Sequence, residues 1–441
     1  MKNKKEKGEL YKALSRGNGK VTASSLVMGL GQIMYGQWAK GIMYLLIQIC
    51  FVAFVVLAGG RHIAGLITLG TVESNSWYGI EGDNSVINLI MGIFTLIVIG
   101  VYLVLYVGNV KDAYNTQRLL EKGRKPLTFG EEIKSYKNEK FYRLSLSLPI
   151  LGVCVFCVFP IIFMILIAFT NYGGSTVPPA LVDWVGIDNF KRITTLGQFG
   201  STFMKIFGWN FLWAVLSTAL NYLGGLGLAL VYNKECVKGK AFFRLFPILA
   251  YAVPGFITLL AFKFMFSYGG PINQIIVGNG GVARGFLDID AKWSARIIGL
   301  LVNAWLAIPS SMLLATGILS NMNKDQYEAA RMDGANAFKQ FVHLTLPFVL
   351  FATMPVLVSQ FIGNFNNFGI FYFLRGGLYM DGYYLASDTD LLINWLYNLS
   401  IDNNYYSIGA TISIVIFAVT SVISLAVYMA SPSYRQEDTY K

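Results

Sequence analysis

Long apolar stretches alternate with shorter polar segments along the whole chain. Crossing about 30 Å of hydrocarbon at 1.5 Å per residue takes about 20 predominantly apolar residues, and eight stretches reach or approach that length. Because backbone groups in lipid must be hydrogen-bonded within the protein, the pattern predicts an all-α polytopic membrane protein with about eight transmembrane helices. The predicted spans are Ile42–Ala58, Val86–Val107, Ser147–Phe169, Phe211–Tyr232, Leu245–Phe266, Ile297–Leu319, Phe348–Phe373 and Ile408–Met429.

The distribution of basic residues predicts the orientation of these spans. If the N-terminus is cytoplasmic, the inside segments carry 26 of the 35 Lys and Arg residues and the outside loops carry 8. An excess of Lys and Arg on one side marks the cytoplasmic side, so we expect both termini in the cytoplasm and a multi-pass protein of the cell membrane. The net charge of +11 then reflects membrane orientation, and no nucleic-acid partner is expected. We also expect no cleaved signal peptide.

The basic segment Lys111–Arg143 separates two N-terminal spans from the six that follow. We therefore expect an N-terminal part at 1–145 with an interfacial segment, two spans and a basic linker. A transmembrane core follows at 146–430, and a cytoplasmic tail at 431–441. None of the four cysteines lies in an outside loop and the two histidines are isolated in the sequence, so neither a disulfide framework nor a metal site is predicted.

A compact motif lies between the sixth and seventh spans, at 321–347. Asn323 can cap a short helix and Gly334 can end it, since glycine adopts the left-handed conformation without penalty. A second amphipathic helix is predicted to follow and to end at Pro347. The spacing predicts a helix-turn-helix in which the small Ala329 and Ala330 let another surface approach closely.

The ordered set Glu328-Ala329-Ala330, Gly334 and Leu346-Pro347 resembles the EAA loop of binding-protein-dependent ABC importer permeases. In that family the loop docks into a cleft on the ATPase subunit. The resemblance covers most of residues 145–430 and is greatest to the MalF-type subunit of maltose-class sugar importers. It implies a type I importer core of six helices plus two N-terminal helices. The coupling residues it implies are Glu328, Ala329, Ala330, Asp333, Gly334, Leu346 and Pro347.

Three further stretches carry the same resemblance. They are Tyr251-Ala252-Val253-Pro254, Asn364-Phe365-Asn366-Asn367-Phe368 and Thr389-Asp390-Leu391-Leu392-Ile393-Asn394. The chain departs from family members of double-membraned bacteria, which carry a large external domain where only Thr170–Asn210 is available here. This shorter form resembles the Gram-positive version, and it calls into question any binding-protein contact that depends on the missing domain.

Amides and aromatic rings cluster in the seventh span. Gln360 and Asn364 share one helix face with Asn367, and amides supply both donors and acceptors for sugar hydroxyls while rings pack on the apolar side of a pyranose. The resemblance implies that the asparagines help line the sugar site. Buried amides can also simply join helices, and that alternative stays open. The predicted substrate-binding residues are Gln360, Asn364, Phe365, Asn367, Ser310 and Tyr251.

Two positions suggest the size of the substrate. Where the family has an aromatic residue beside the first of these asparagines, this chain has Gly363, and Ser310 follows the proline of the sixth span. Both would widen the pocket, which favours a substrate longer than a disaccharide.

The source of energy separates the possible functions. An ion-coupled secondary sugar transporter, the main alternative, usually places Asp, Glu or His within its spans, and the predicted spans contain none. A membrane enzyme would need a catalytic constellation, and none is apparent. The chain also lacks a P-loop sequence, so ATP and Mg²⁺ would be used by a separate ATPase subunit and no cofactor is expected on this chain.

We expect the permease subunit of an ATP-driven importer of a neutral sugar, maltose, maltodextrin or a related oligosaccharide. Its expected partners are a MalG-like second permease, ATPase subunits and an extracellular sugar-binding protein.

Overall fold

The computed structural model describes residues 9–430 except 76, 196 and 235. The predicted tail at 431–441 lies outside the described residues. The chain divides into two compact units, residues 1–186 and 187–441. The domain boundary predicted after residue 145 rests on the order of the predicted spans along the chain, and it stays a prediction.

The first unit is helical over most of its described length. Its long helix α6 has 37 residues. The helices are α1 (Glu9–Arg16), α2 (Gly19–Leu26), α3 (Leu30–Met34), α4 (Trp38–Phe54), α5 (Gly60–Thr68), α6 (Ser85–Glu121), α7 (Phe129–Lys137), α8 (Phe141–Val153) and α9 (Phe159–Ile167). π-Helical turns at Val55–Gly59 and Cys154–Val158 join α4 to α5 and α8 to α9, so each pair forms one long helix.

A buried ion-pair cluster ties three of these helices together. The ammonium group of Lys40 on α4 lies 2.6 Å from a carboxylate oxygen of Asp112 on α6 and 2.6 Å from one of Glu132 on α7. Because a buried charge is tolerated only when it is paired, the cluster fixes the basic linker, which contains α7, against the ends of α4 and α6.

The second unit contains the remaining helices. They are α10 (Asp188–Thr194), α11 (Gln198–Asn233), α12 (Lys240–Ala252), α13 (Gly255–Met265), α14 (Pro271–Gly278), α15 (Lys292–Ser320), α16 (Lys324–Met332), α17 (Ala337–Gln340), α18 (Leu346–Phe365), α19 (Gly369–Arg375), α20 (Leu392–Tyr397) and α21 (Tyr406–Ala430). Helices α11 and α15 run side by side, and α18 packs on both. Gly225 makes the approach of α11 to α15 possible, since a Cβ there would lie 2.4 Å from the Cβ of Ser311.

The predicted spans are confirmed as membrane-length apolar helices. Seven helices among the described residues are long and apolar enough to cross a membrane, and there are eight if a bent pair of shorter helices counts as one span. The bent pair is α12 and α13, which meet at an angle of 92°. Pro254 lies at the bend and explains it, because proline supplies no N–H for the helical hydrogen bonds and restricts the conformation of the residue before it. The fifth span predicted at 245–266 falls on this bent pair.

The seventh span differs from its prediction at both ends. The second helix of the motif does not end at Pro347, because a π-helical turn at Phe341–Thr345 carries the helix directly into α18. In this wider turn the N–H of Leu346 donates to the carbonyl of Phe341. Pro347 lies in the first turn of α18, where a missing N–H is tolerated. Further along, the helix is interrupted at residues 366–368, between α18 and α19.

Candidate functional site

The predicted helix-turn-helix at 321–347 contains α16, a tight turn and the α17 segment, and residues 323–340 are here called the hairpin. The side chain of Asn323 caps α16 by accepting a hydrogen bond from Asp325 N–H. Gly334 ends the helix with φ +76, in the left-handed region that favours glycine. The hydroxyls of Tyr327 and Thr345 lie 2.8 Å apart, and this contact holds α16 against the π-helical turn that leads into α18.

The surface of the hairpin is exposed and partly apolar. Glu328 and Ala329 are exposed. Met332 is 89% exposed and Phe338 is 73% exposed. Apolar side chains this exposed, beside small residues and a carboxylate, are typical of a surface that another protein covers. The coupling residues predicted from the motif therefore lie on the hairpin or, in the case of Leu346 and Pro347, at the point where it continues into α18.

The amides predicted in the seventh span form a network across three helices. The Oδ1 atom of Asn364 accepts from Nδ2 of Asn303 on α15 at 3.4 Å, and its Nδ2 donates to the hydroxyl of Thr218 on α11 at 3.0 Å. Asn367, in the interruption after α18, donates to Oδ1 of Asn303 at 3.0 Å. Both polar atoms of Asn364 are thus used within the protein. In this conformation Asn364 joins helices, as the alternative reading of these amides expected.

The other predicted substrate-binding residues have different surroundings. Gln360 donates to the hydroxyl of Ser311 at 3.0 Å, while its Oε1 is buried and lacks a hydrogen-bond partner among the described residues. Phe365 is fully buried. Ser310 is half-buried and donates to the carbonyl of Ala307. Tyr251, close to the bend between α12 and α13, is exposed. The structure thus brings Gln360, Asn364 and Asn367 into contact with α11 and α15.

Two residues of α11 complete the network, and the sequence analysis missed them. The indole N–H of Trp213 donates to the carbonyl of Asn364, and Nδ2 of Asn210 donates to the carbonyl of Phe365. These bonds satisfy carbonyls close to the interruption after α18. The sequence signal for this face was a polar stripe at helical spacing, Asn210, Ser217 and Asn221. All three side chains are buried in the structure. Asn210 lay outside the span predicted to begin at Phe211.

A buried charge cluster lies at the other end of α15 from the hairpin. The guanidinium of Arg375 pairs with Asp388 and also donates to the carbonyls of Leu287, Asp288 and Ile289. Arg296 donates to the backbone carbonyl of Asp388 and lies 3.8 Å over the ring of Trp209. Burial raises the pKa of Asp390 to about 6, against hydrogen bonds from Ser387 and the charge of Arg375, which lower it.

The described part of the chain shows no group of three or more His, Cys, Asp or Glu side chains able to hold a metal ion. The hairpin presents exposed apolar side chains and a carboxylate, and the amide network places uncharged polar groups between the helices.

Comparison with known proteins agrees with this arrangement. The family described as "Binding-protein-dependent transport system inner membrane component" matches residues 222–436, which include the hairpin and the amides of α18. The galactooligosaccharides transport system permease protein GanP of Bacillus subtilis is 35% identical, over 94% of this chain and 97% of its own length. The maltodextrin transport system permease protein MalC of Streptococcus pneumoniae is 34% identical, over 95% of this chain and 97% of its own length.

A solved structure shares the fold. In the crystal structure of a bacterial ABC transporter involved in the import of the acidic polysaccharide alginate, one chain matches with a TM-score of 0.56 and 21% identity. The match covers 69% of this chain and 99% of that one. The chain belongs to the permease family of binding-protein-dependent transport systems. It is a multi-span membrane permease of the kind found in sugar ABC importers, and the predicted resemblance to that family is confirmed.

Proposed function

We propose that this chain forms one half of the membrane pathway of an ATP-driven importer that takes up a neutral oligosaccharide. Both termini and the hairpin lie in the cytoplasm, and the segment between α5 and α6 lies outside the cell. A second permease subunit of the MalG type completes the pathway, ATPase subunits bind and hydrolyse ATP with Mg²⁺, and an extracellular binding protein delivers the sugar. The chain itself is not an enzyme and binds no cofactor.

The observation that carries this proposal is the continuous helix from the exposed hairpin to the amide network. The π-helical turn at Phe341–Thr345 joins the hairpin to α18, and α18 ends at Phe365, beside Asn364 and the interruption at residues 366–368. A rigid helix transmits a displacement along its length, whereas an interruption can absorb or redirect it. Movement of the hairpin by an ATPase subunit would therefore displace α18 and change the positions of the amides at its end.

The carboxylate of Glu328 and the small side chain of Ala329 supply the contact with the ATPase subunit. Both are exposed on α16, and Tyr327, the neighbour of Glu328, bonds to Thr345 in the π-helical turn. Helix α16, which contacts the ATPase subunit, is thus bonded to the π-helical turn that leads into α18, the helix that must move. Gly334 keeps the turn between them tight, because any side chain there would be strained at φ +76.

The sugar pathway runs along the exposed side of α12, α13 and α15 and past the interruption in the seventh span. Tyr251 and Trp305 expose more than half of their surface, and aromatic faces pack well on sugar rings. Gln360 contributes an acceptor that has no partner among the described residues, and the half-buried Asn367 contributes an amide. The backbone carbonyls of Asn364 and Phe365 are held by Trp213 and Asn210 of α11. Their side chains reach the sugar only if the network rearranges during transport.

The substrate class follows from the chemistry and from the relatives. The amide network offers no formal charge, which suits polyols over acidic sugars. The names of the relatives specify galactooligosaccharides and maltodextrin, and both are neutral oligosaccharides. Gly363 is exposed and half-buried Ser310 is small, so the pathway has room for more than two sugar units. We propose maltodextrin or a related neutral oligosaccharide as the substrate.

Charge reversal on the hairpin tests the coupling. In the assembled importer in proteoliposomes, Glu328→Lys should abolish ATP hydrolysis stimulated by the loaded binding protein and should leave insertion of the chain unchanged. Asp188→Lys makes the same charge change at an exposed carboxylate on α10 and should leave stimulation unchanged. Normal stimulated hydrolysis and uptake in Glu328→Lys would refute the coupling role.

Truncation of amides tests the sugar contact. Gln360→Ala combined with Asn367→Ala should raise the substrate concentration needed for half-maximal uptake of maltodextrin at least tenfold. Asn366→Ala is the matched control, because the Asn366 amide lies in the same interruption but donates to the carbonyl of Ile362 in the last turn of α18. Equal uptake by both variants and the wild type would remove Gln360 and Asn367 from the site.

A further inference from the structure

The segment between α5 and α6 is a loop with an aromatic tip, and its described residues 71–75 and 77–83 are here called the aromatic finger. Backbone bonds pair Asn75 with Ile80 in both directions, and Asp83 N–H donates to the carbonyl of Val72 at 2.8 Å. At the tip, the side chain of Asn75 accepts from the backbone N–H of Trp77 at 3.0 Å. The turn is thus defined by its own hydrogen bonds.

The base of the aromatic finger is braced within the same unit. The carboxylate of Asp83 accepts from the backbone N–H groups of Thr71 and Val72, which lowers its pKa. The hydroxyl of Ser85, at the start of α6, accepts from Val182 N–H, and the indole N–H of Trp184 donates to the carbonyl of Ile67. A braced base reduces the entropy lost when the tip is immobilised by a partner.

The tip carries two aromatic side chains that the unit leaves uncovered. Trp77 is 97% exposed and Tyr78 is 80% exposed. Glu73 and Glu81 flank them and are also exposed, and the segment 71–85 contains no Lys or Arg. Tryptophan and tyrosine dominate the binding energy of protein interfaces, whereas a solvent-exposed tryptophan gives the isolated chain no stability.

We propose that Trp77 and Tyr78 are a contact point for the extracellular binding protein, a role that rests on the proposed function and on the outward orientation of this loop. The aromatic finger would replace part of the contact that longer relatives could make through an external domain. Its carboxylates call for a complementary basic patch on the binding protein, around a cleft that accepts the two rings.

The shape of the aromatic finger disfavours a sugar as its direct ligand. Small-molecule sites are concave, whereas Trp77 and Tyr78 sit on a convex tip. A membrane role is disfavoured by position and charge. Extended chain rises about 3.3 Å per residue, so the three steps from Val72 to Asn75 place the tip up to about 10 Å beyond the base. Aromatic belts lie directly at span ends, and Glu73 and Glu81 would be repelled by anionic headgroups.

The size of the tip favours a transient partner over the second permease. Two aromatic side chains bury about 150–250 Å² each, far below the 2,000 Å² or more of a permanent subunit interface. A binding protein must dock and leave in every transport cycle, and a small contact with two strong anchors meets that need.

The test uses the assembled importer in nanodiscs, with its binding protein and maltodextrin. Trp77→Ser combined with Tyr78→Ser should raise the binding-protein concentration for half-maximal ATPase stimulation at least tenfold, with the maximal rate unchanged. Trp38→Ser is the control, because Trp38 is also an exposed tryptophan and begins α4 at the other end of the α4–α5 helix, and its replacement should cause no change. Glu73→Gln combined with Glu81→Gln keeps the rings and should give a smaller increase.

The outcomes separate the contact from the proposed function. An unchanged half-maximal concentration in both double variants, with a wild type that responds normally, overturns the contact alone. A wild type that shows no stimulation by any binding protein contradicts the proposed function itself. A spin label at Trp77→Cys should be accessible to a water-soluble nickel complex, and protection by lipid would overturn the contact in favour of membrane anchoring.

Discussion

The guanidinium of Arg375, at the end of α19, lies 2.5 Å from the carboxylate of Asp388, and both side chains are almost fully buried. The same guanidinium donates to the carbonyls of Leu287, Asp288 and Ile289, so one arginine joins two loops at the end of the unit away from the hairpin. A buried pair of this kind contributes to a unique arrangement more than to net stability. The pair therefore fixes these two loops relative to each other.

Removing one partner of this pair should be strongly destabilising. Asp388→Asn leaves the buried charge of Arg375 without its counter-ion, and we expect a loss of about 3 kcal/mol in the free energy of unfolding in mixed micelles. Asp188→Asn breaks the exposed pair with Lys191 and should cost less than about 0.5 kcal/mol. Equal losses of unfolding free energy in the two variants would show that the buried pair of Arg375 and Asp388 contributes no more than an exposed pair.

Asp390 should make stability depend on pH. Burial raises its pKa from 3.8 to about 6 in the folded chain, so the folded state holds a proton that the unfolded state releases. The stability that this proton contributes is full below about pH 4 and is lost as pH rises through about 6. Asp390→Asn should match the wild type at pH 4 and exceed it at pH 7.5, by on the order of 1–3 kcal/mol. A constant difference across this range would contradict the assignment.

The close approach of α11 to α15 depends on Gly225. Gly225→Ala would place a Cβ 2.4 Å from the Cβ of Ser311 and 2.7 Å from the backbone nitrogen of Met312, so the helices must move apart. We expect a loss of about 1–3 kcal/mol in thermal unfolding experiments. Gly227→Ala on the same helix meets no atom within 4 Å and should be neutral or stabilising by up to about 1 kcal/mol.

The bond between Tyr327 and Thr345 should control the stability of the hairpin locally. Tyr327→Phe removes the hydroxyl contact of 2.8 Å, and a loss of about 1 kcal/mol would speed hydrogen exchange in α16 about fivefold. Adding Thr345→Val should have little further effect, because the two changes remove the same bond. Tyr222→Phe removes an equal bond to Thr353 and should leave exchange in α16 unchanged.

The sequence predicted the membrane helices well because each depends on a local property, the length of an apolar run. The left-handed turn at Gly334 and the cap at Asn323 were predicted for the same reason. The bend at Pro254 and the π-helical turn before Leu346 were not, since a proline in an apolar stretch permits a kink, a stop or a continuing helix. Neighbouring helices decide between them.

The candidate site was predicted less completely. The amides of Gln360, Asn364 and Asn367 stand out because polar groups are rare in spans, and their clustering in the structure fits that signal. Their partners Asn303 and Thr218 could not be assigned, because pairing between α11, α15 and α18 joins residues far apart in the chain. Roles in sugar binding remain predictions for the experiments above.

Cross-linking from the hairpin tests the central claim most directly. After the native cysteines are replaced by serine, Met332→Cys places a thiol at an 89% exposed position on α16, and Val282→Cys places one at an 81% exposed position in the loop after α14. In the assembled importer, a thiol-reactive cross-linker should join Met332→Cys to the ATPase subunit in a yield that changes with ATP, and Val282→Cys should give no such product. A product from Val282→Cys with none from Met332→Cys would contradict the account.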